Sequence, residues 1–312
     1  MVTVDLITGF LGAGKTTFIH QYIQYLRKQG LSIRIIENEF GDSNIDTHFL
    51  EEEHLEIEDL AGMCMCCVGK SAFIQMLEES AKSGCDRIIV EPSGIYDVDE
   101  FFDTLSLPQL QSVCEIGSII TIIDPLELDH LSKESKYLMF SQLLASGYVI
   151  MSKTQYLDTR QKDIAIEKIN ALMEEFGCPG LLAPIYSKPW NELTNQDFKE
   201  FMDAFYGRYV HDRMVFNHME VYQSLEVNVT FKDEKTMTQN IKDVFTTNEC
   251  GLIYRIKGYT QDIDGNLYEV NCTSKTVSIR KVKQDVLVEL IIIGEHIRRK
   301  QILKCLEKDR LL

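Results

Sequence analysis

The 312-residue sequence predicts an α/β domain with a mostly parallel sheet, followed by a small α+β domain. Apolar β-branched runs alternate with helix-like segments through the first two-thirds of the chain, as in a parallel sheet covered by helices on both faces. A glycine-rich loop joins the first run to the first helix. Short alternating strands follow beyond about residue 220. We therefore expect a first domain at 1–207, a linker at 208–220 and a second domain at 221–312.

The elements of the first domain follow from these runs in chain order. Strands are predicted at Val2–Ile7, Ser32–Ile36, Arg87–Val90, Ile119–Ile123 and Tyr148–Met151. Helices are predicted at Thr17–Gln29, Lys70–Ser83, Phe140–Ala145 and Thr159–Phe176. Open parallel sheets bind ligands at the carboxyl ends of their strands. The loops after these strands are therefore where we expect the chemistry.

The second domain is predicted from shorter segments. Strands are predicted at Val221–Phe231, Leu252–Gly258, Leu267–Cys272, Val277–Val282 and Val286–Ile293, and helices at Glu234–Thr246 and Arg298–Lys308. The sequence Asp264-Gly265-Asn266 is typical of a tight turn between two of these strands. This pattern predicts a partly antiparallel unit, separate from the first domain.

The composition argues against several classes of protein. The formal net charge of −16 disfavours a broad nucleic-acid-binding face, because an acidic surface repels phosphate. No apolar run reaches the roughly 18 residues of a membrane span, and the first strand begins too early for a secretory signal. The odd number of cysteines, nine, argues against a disulfide framework. We therefore expect a cytoplasmic protein that binds neither nucleic acid nor membrane.

The loop Gly9–Thr16 carries the most specific motif. Its sequence GFLGAGKT fits the phosphate-binding pattern G-x-x-x-x-G-K-[ST] and lies between a predicted strand and a predicted helix. In this pattern backbone N–H groups surround phosphate oxygens at the positive end of the helix. Lys15 would reach the β- and γ-phosphates, and Thr16 would offer its hydroxyl to Mg²⁺. The alternative is a glycine-rich turn that binds no ligand.

Two further segments carry candidate metal ligands. The sequence ENEFGD at 37–42 places three carboxylates at a strand end, where they would either hold a cation or form an acidic surface turn. The sequence CMCC at 64–67 places three thiols within four residues, which suits a thiophilic ion such as Zn²⁺, Co²⁺ or Cu⁺. Such a site would need a further ligand and would be open to exchange. Redox cysteines or buried small residues are the alternatives.

Two loops after later strands suit a nucleotide. Glu91-Pro92-Ser93-Gly94 would place a carboxylate near Mg²⁺ or the attacking water, and the Gly94 N–H near the γ-phosphate; a proline-containing turn is the alternative. Ser152-Lys153-Thr154-Gln155 stands where GTP-binding proteins carry an N/T-K-x-D base motif. Because Gln155 replaces the aspartate, the charge-assisted bidentate contact to guanine, worth roughly 1–3 kcal/mol, is lost.

Taken in order, the motifs GFLGAGKTT, ENEFGD, CMCC, EPSG and SKTQ resemble the CobW-like family of metallochaperone P-loop GTPases, which is related to HypB and UreG. The resemblance covers nearly the whole chain, since 252–258 and 290–294 are similar to that family's small C-terminal domain. It implies a P-loop GTPase that binds GTP with Mg²⁺ and hydrolyses it slowly without a partner. It also implies delivery of a transition metal, Zn²⁺ or Co²⁺, to a client metalloprotein or a cofactor-maturation enzyme.

The resemblance assigns expected roles to individual residues. The phosphates would be held by Gly12, Ala13, Gly14, Lys15, Thr16 and Thr17, with Thr16 on Mg²⁺. The transition metal would be held by Glu37, Asp42 and Cys66, with Cys64 and Cys67 as further thiolate candidates. The base would be contacted by Ser152, Lys153 and Gln155. The γ-phosphate would be contacted by Gly94. In hydrolysis Lys15 would offset charge on the phosphoryl oxygens, and Glu91 or Glu39 would position the water.

Several departures from the family pattern leave the base preference and the metal open. Gly62-Met63 stands where Asn-Gly is usual, Gln155 where an acidic residue is usual, and Ser146-Gly147 where alanine-aspartate is usual. The sequence also has no histidine-rich tract of the kind that many relatives carry.

Two other functions stay open at this point. One is a P-loop kinase of a small molecule, although the few isolated arginines of the first 200 residues argue against the usual arginine-rich lid. The other is a weakly hydrolysing nucleotide-binding scaffold that acts through its second domain. The oligomeric state is also open, with a homodimer as one alternative.

Overall fold

The computed structural model describes residues 1–37, 56–59, 69–129, 131–207, 211–214, 216–283 and 286–308, with the backbone alone for 56–59 and 218–219. The described chain forms two compact units, Met1–Met214 and Val215–Leu312. Among the described residues, each helix is too short or too polar to span a bilayer.

Within the described part of the first unit, seven parallel strands form one sheet. They are Val2–Thr8 (β1), Ile33–Glu37 (β2), Glu56–Asp59 (β3), Arg87–Glu91 (β4), Cys114–Ile123 (β5), Tyr148–Met151 (β6) and Ile185–Tyr186 (β7). Their order across the sheet is β3-β2-β4-β1-β5-β6-β7. The first strand in the chain therefore lies in the middle of the sheet.

Helices of the first unit pack on both faces of this sheet. They are Lys15–Lys28 (α1), Lys70–Lys82 (α2), Val98–Leu105 (α3), Pro108–Gln111 (α4), Lys133–Ala145 (α5), Thr159–Glu175 (α6) and Asn195–Met202 (α7). Strand β4 shows the two faces: Ile88 and Val90 belong to one buried cluster and Ile89 to the other. The first cluster includes Phe73 of α2, and the second includes Phe18 of α1. Since both faces are buried, the central strands are rich in isoleucine, valine and leucine.

The predicted α/β class and the five predicted strands of the first domain are confirmed, with differences in extent. Strand β5 begins at Cys114 rather than at the predicted Ile119, since the backbone already pairs with β1 from Cys114 onward. The prediction began too late because Glu115 and Gly117 interrupt the apolar pattern. Helix α5 begins at Lys133 rather than Phe140, because its polar first turns are capped by the Ser132 side chain. Strands β3 and β7 were not predicted, since four and two residues are too short to show a period.

The second unit has a six-stranded, largely antiparallel sheet within its described residues. Its strands are Tyr222–Val227 (β8), Thr230–Phe231 (β9), Leu252–Asp262 (β10), Leu267–Cys272 (β11), Val277–Val282 (β12) and Glu289–Glu295 (β13). Its helices are His218–Val221 (α8), Glu234–Thr246 (α9) and Arg299–Leu306 (α10). Residues of α9 and α10 pack with one face of the sheet, where Met237 and Ile302 are fully buried.

The prediction of one continuous strand at Val221–Phe231 was wrong. The segment forms two strands, of which β8 pairs antiparallel with β13 and β9 pairs parallel with β10. The carbonyl of Val229, between them, accepts a hydrogen bond from the buried Thr260 hydroxyl at 2.6 Å. The chain therefore changes its pairing partner at this point, which an alternating pattern alone does not reveal.

A buried ion pair lies at the amino-terminal part of the first sheet. Asp5 of β1 is fully buried, and its Oδ2 accepts hydrogen bonds from Arg87 Nη1 at 2.6 Å and from the Tyr22 hydroxyl at 3.0 Å. Its Oδ1 accepts from the backbone N–H of Ser118 at 2.8 Å. Burial raises the pKa of the Asp5 carboxyl, while the charge of Arg87 lowers it. These bonds connect β1, α1, β4 and β5 at one point.

Replacing Arg87 with methionine should destabilise the first unit strongly. The change leaves Asp5 buried without its cation, which typically costs about 3–5 kcal/mol of unfolding free energy. The measurement is urea unfolding followed by the fluorescence of Trp190, which lies in the same unit. Tyr22→Phe removes the hydroxyl that donates to Asp5 and accepts from Arg87 at 3.4 Å, but it keeps the ion pair, so it should cost less, about 1–3 kcal/mol. Equal losses for the two variants would show that the charge of Arg87 contributes little.

Candidate functional site

The parallel sheet brings the carboxyl ends of strands β1, β2, β4, β5 and β6 to one edge. The phosphate-binding loop follows β1, and its neighbours across the sheet are the carboxyl ends of β4 and β5. Strand β2 lies beyond β4, and β6 lies beyond β5. Residues that are far apart in the sequence therefore meet around the start of α1.

The loop between β1 and α1 has the backbone of a phosphate cradle. Gly12 and Gly14 have positive φ angles of 74° and 99°, and Gly14 is the N-cap of α1. The Ala13 N–H donates to the Phe10 carbonyl at 3.1 Å, which closes the turn. Left-handed backbone of this kind favours glycine and turns successive N–H groups toward one side. The loop fits an anion at the positive end of a 14-residue helix.

Lys15, Thr16 and Thr17 begin helix α1. The Lys15 side chain is buried, and its Nζ donates to the carbonyl of Gly9 at 3.1 Å across the loop. Thr16 is half-buried and Thr17 is exposed. The lysine cation is thus held inside the loop, where the N–H groups and the helix dipole also favour negative charge.

Two carboxylates lie side by side in adjacent strands, and one of them contacts Thr16. Glu91 Oε1 accepts a hydrogen bond from the Thr16 hydroxyl at 2.9 Å, and Glu91 is 6% exposed. Glu37, which is 7% exposed, is the register partner of Glu91 where β2 pairs with β4. A hydroxyl and a carboxylate oxygen in hydrogen-bond contact at a phosphate loop are the ligand types that Mg²⁺ prefers. These residues therefore fit a bound magnesium nucleotide.

Gly94 lies directly on the phosphate-binding loop. A Cβ added at Gly94 would lie 2.5 Å from the Leu11 backbone nitrogen and 2.8 Å from the carbonyl carbon of Phe10. Any side chain at this position would therefore displace the loop. The Gln142 side chain of α5 donates from Nε2 to the carbonyls of Gly94 and Tyr96, both at 3.3 Å. Gln142 thus holds the segment after β4 in contact with the loop after β1.

The loop after β6 carries Ser152, Lys153 and Gln155. Ser152 is buried, and its N–H donates to the Ile123 carbonyl at 2.9 Å. Lys153 has a left-handed backbone with φ 54°, and its Nζ lies 2.5 Å from Asp124 Oδ2. Gln155 is exposed. The structure therefore brings Ser152 and Lys153 to the end of β5, with Gln155 on the solvent side.

Asp124 is a site residue that the sequence analysis did not single out. It follows β5 directly, it is 5% exposed, and it pairs with Lys153. Burial raises the pKa of its carboxyl, although the charge of Lys153 acts in the opposite direction. Its place after an apolar strand is the same signal that identified Glu91, so the sequence could have revealed it. Gln142 carries no such signal, because only packing brings it to Gly94.

The last described residues of the first unit are attached to α3, the helix that follows the Gly94 loop. Arg213 makes a two-point contact with Asp103, with Nη1–Oδ2 and Nη2–Oδ1 distances of 2.7 and 3.2 Å. Its Nε lies 3.0 Å from Asp99 Oδ2, and His211 Nε2 lies at the same distance from that oxygen. The hydrogen bond with Asp103 raises the pKa of Arg213.

Most of the expected transition-metal ligands lie outside the described residues. These are Asp42, Cys64, Cys66 and Cys67, together with the candidate catalytic residue Glu39. Of that set the structure describes Glu37 alone. Across the described ranges, no group of three His, Cys, Asp or Glu side chains could hold a metal ion.

Comparisons with known proteins show which family the chain resembles. The family model described as CobW/HypB/UreG, nucleotide-binding domain, matches residues 3–176, which is more than half of the chain. The chain is 24% identical to zinc-regulated GTPase metalloprotein activator 1 of Schizosaccharomyces pombe, covering 96% of this chain and 83% of that protein. It is 29% identical to the zinc chaperone YeiR of Escherichia coli, covering 54% and 51% of the two chains, so it spans about half of that relative.

Among solved structures, the Zn(II)-bound YjiA GTPase of E. coli aligns over 98% of both chains, at 16% identity and a TM-score of 0.40. The family match rests on the sequence of the first unit, in which β1, the phosphate-binding loop and the ends of β4 and β6 all lie inside the matched range. The chain belongs to the CobW/HypB/UreG family and carries its nucleotide-binding domain.

Proposed function

We propose that this chain is a GTPase that couples GTP binding and slow hydrolysis to the binding of a transition metal and its delivery to a client metalloprotein. The names of its relatives support this proposal, since they describe zinc chaperones and a zinc-regulated GTPase that activates metalloproteins. The domain ranges 1–207 and 221–312 would then separate nucleotide chemistry from a second domain that contributes to client binding.

The contact between Thr16 and Glu91 is the main structural support for this proposal. The hydroxyl of Thr16 lies at the start of α1, and the carboxylate of Glu91 lies at the end of β4, 2.9 Å away. Thr16 would coordinate Mg²⁺, and Glu91 would orient Thr16 and the water around the ion. When bound, Mg²⁺ would neutralise charge on the β- and γ-phosphates.

The other residues at this edge would bind the nucleotide. Backbone N–H groups from Gly12 to Thr17 and the Lys15 ammonium would hold the phosphates and stabilise the negative charge that develops during transfer to water. The Gly94 N–H would approach the γ-phosphate, since Gly94 already lies on the loop. Ser152, Lys153 and Gln155 would contact the base, with Lys153 oriented by Asp124.

The metal would be bound close to the γ-phosphate side of the nucleotide. Glu37 is adjacent to Glu91 in register, and the candidate ligands Asp42, Cys64, Cys66 and Cys67 follow it in the sequence. A change in the position of Glu91 when GTP is hydrolysed would therefore affect Glu37 in the adjacent strand β2, which leads to these ligands. Segments ordered by the γ-phosphate and Mg²⁺ are a common way in which GTPases link nucleotide to a second ligand.

The variant Glu91→Gln tests the contact between Thr16 and Glu91. The amide oxygen can still accept from Thr16, but the negative charge beside Mg²⁺ is lost. We expect GTP hydrolysis to fall by about tenfold to a hundredfold, measured as phosphate release in Mg²⁺. Glu167→Gln, at an exposed position of α6, is the control for the loss of one charge and should hydrolyse at the wild-type rate. A wild-type rate in Glu91→Gln would exclude the proposed role of this carboxylate.

Coupling between metal and nucleotide is tested by titrating Co²⁺ and Zn²⁺ with and without Mg·GTP. Cobalt binding to thiolates is followed by its absorbance, and zinc binding by competition with a chromogenic chelator. We expect the wild-type affinity to differ between the two conditions, and Cys66→Ala to lose at least about tenfold in affinity. Cys178→Ala, a half-buried free thiol elsewhere, is the control. Equal affinities with and without Mg·GTP would refute the coupling.

The variant Gln155→Asp tests base recognition. A carboxylate can accept both hydrogen bonds from the Watson–Crick edge of guanine, so we expect the preference for GTP over ATP to rise by about tenfold or more. Gln155→Asn keeps an amide at the position and should leave the preference unchanged. The measurement is competition of GTP and ATP for the same protein in Mg²⁺. An unchanged preference in Gln155→Asp would show that residue 155 does not face the base.

A further inference from the structure

Trp190 lies where the phosphate-binding loop meets the base loop, here defined as residues 152–155. It is the single tryptophan of the sequence and begins a short 3-10 turn, Trp190–Glu192, shortly after β7. Its side chain is half-buried at the edge of the cluster that includes Phe18. No sequence motif includes Trp190, and it is not among the residues proposed to bind the nucleotide or the metal.

The indole contacts the end of the phosphate-binding loop. A Cβ added at Gly14 would lie 3.4 Å from Cη2 of Trp190 and 3.8 Å from the Cβ of Ser152. Trp190, Gly14 and Ser152 therefore meet at one point. The indole ring also packs edge-on against Phe18 of α1, with 6.0 Å between ring centroids.

The same side chain holds the start of the base loop. Its Nε1–H donates to the carbonyl of Met151 at 2.9 Å. Met151 is the last residue of β6 and directly precedes Ser152. One side chain thus connects the start of α1, the last glycine of the phosphate-binding loop and the backbone from which the base loop begins.

Each of the two loops also has bonds that do not involve Trp190. The Phe18 N–H donates to the Gly14 carbonyl at 3.2 Å, and Lys15 Nζ donates to Gly9. On the other side, the Ser152 N–H donates to the Ile123 carbonyl. Each loop therefore keeps local support without the indole. The indole adds a direct link between them, because it lies next to Gly14 and bonds the carbonyl of the residue before Ser152.

We propose that Trp190 is a positioning residue that fixes the separation of the phosphate-binding loop and the base loop, so that one nucleotide engages both at once. The inference rests on the proposed function, because it requires GTP to be the ligand. A ligand held at two ends binds more tightly than either end alone only if the two subsites are spaced correctly before binding. Loss of the spacing therefore weakens GTP but leaves a ligand of the phosphate-binding loop alone almost unaffected.

The test compares two ligands on the full chain by calorimetry in Mg²⁺: GTP, and inorganic tripolyphosphate, which has no base. For Trp190→Ala we expect the Kd for GTP to rise about tenfold, from the loss of a hydrogen bond and apolar contact. The Kd for tripolyphosphate should stay within about twofold. Trp190→Phe keeps an aromatic ring against Phe18 and loses the N–H donor, so its loss for GTP should be smaller but in the same direction.

Phe198→Leu is the matched control for packing. Phe198 of α7 lies in the same aromatic cluster, 6.3 Å from the ring of Phe18. This variant should lower the melting temperature while keeping the wild-type ratio of GTP to tripolyphosphate affinity. A merely structural role for Trp190 would give the same behaviour as Phe198→Leu.

The outcomes separate this inference from the proposed function. Equal losses for GTP and tripolyphosphate in Trp190→Phe and Trp190→Ala would show that the indole supports only the phosphate-binding loop, and would overturn the inference. Unchanged affinity for both ligands would also overturn it. If the wild-type protein bound tripolyphosphate and GTP equally well, the base would add no affinity and the inference would fail, whereas a wild-type protein that did not bind GTP would contradict the proposed function itself.

Discussion

The parallel pairing of β1 with β4 on one side and β5 on the other is the constraint on which the site depends. Because these strands run in the same direction, their carboxyl ends lie at one edge of the sheet, and the loops that follow them are therefore neighbours. The contact between Thr16 and Glu91 spans 75 positions in the chain and yet follows directly from this pairing. The ion pair of Asp5 and Arg87 joins the same strands near their amino ends.

The two sides of the site differ in charge: two carboxylates lie on one side, and an ion pair lies on the other. On the β2–β4 side, Glu37 and Glu91 place buried carboxylates in adjacent strands, which is costly unless cations or hydrogen-bond donors compensate. On the β5–β6 side, the carboxylate of Asp124 is already matched by the ammonium of Lys153. The phosphate-binding loop lies between them. A bound magnesium triphosphate would therefore place its metal toward the acidic side and its base toward Lys153.

The sequence was sufficient for the fold class and for the motifs that identify the family, because both depend on local patterns. The strand Tyr148–Met151 and the helix Glu234–Thr246 were predicted with their observed bounds, since apolar periodicity and flanking turns delimit them clearly. The two-residue strand β7 was missed, and with it the position of Trp190 just beyond. Contacts such as Gln142 to Gly94 depend on how helices pack, which no local pattern encodes.

The site was predicted only in part, for physical reasons that differ between residues. Asp124 has a recognisable place after an apolar strand, but its pairing with Lys153 depends on the contact between β5 and β6, which no local pattern shows. The assignments of Lys15, Thr16, Gly94 and Lys153 agree with where these residues lie, but their action on a nucleotide stays a prediction. The cysteine assignments also stay predictions, since 64–67 are outside the described residues.

The two-point contact of Arg213 with Asp103, together with its contact with Asp99, ties the last described residues of the first unit to helix α3. Helix α3 begins four residues after Gly94, and Arg213 stands two residues before the second unit begins. A shift of this helix, which follows the Gly94 loop, would therefore also displace Arg213 and the last described residues of the first unit.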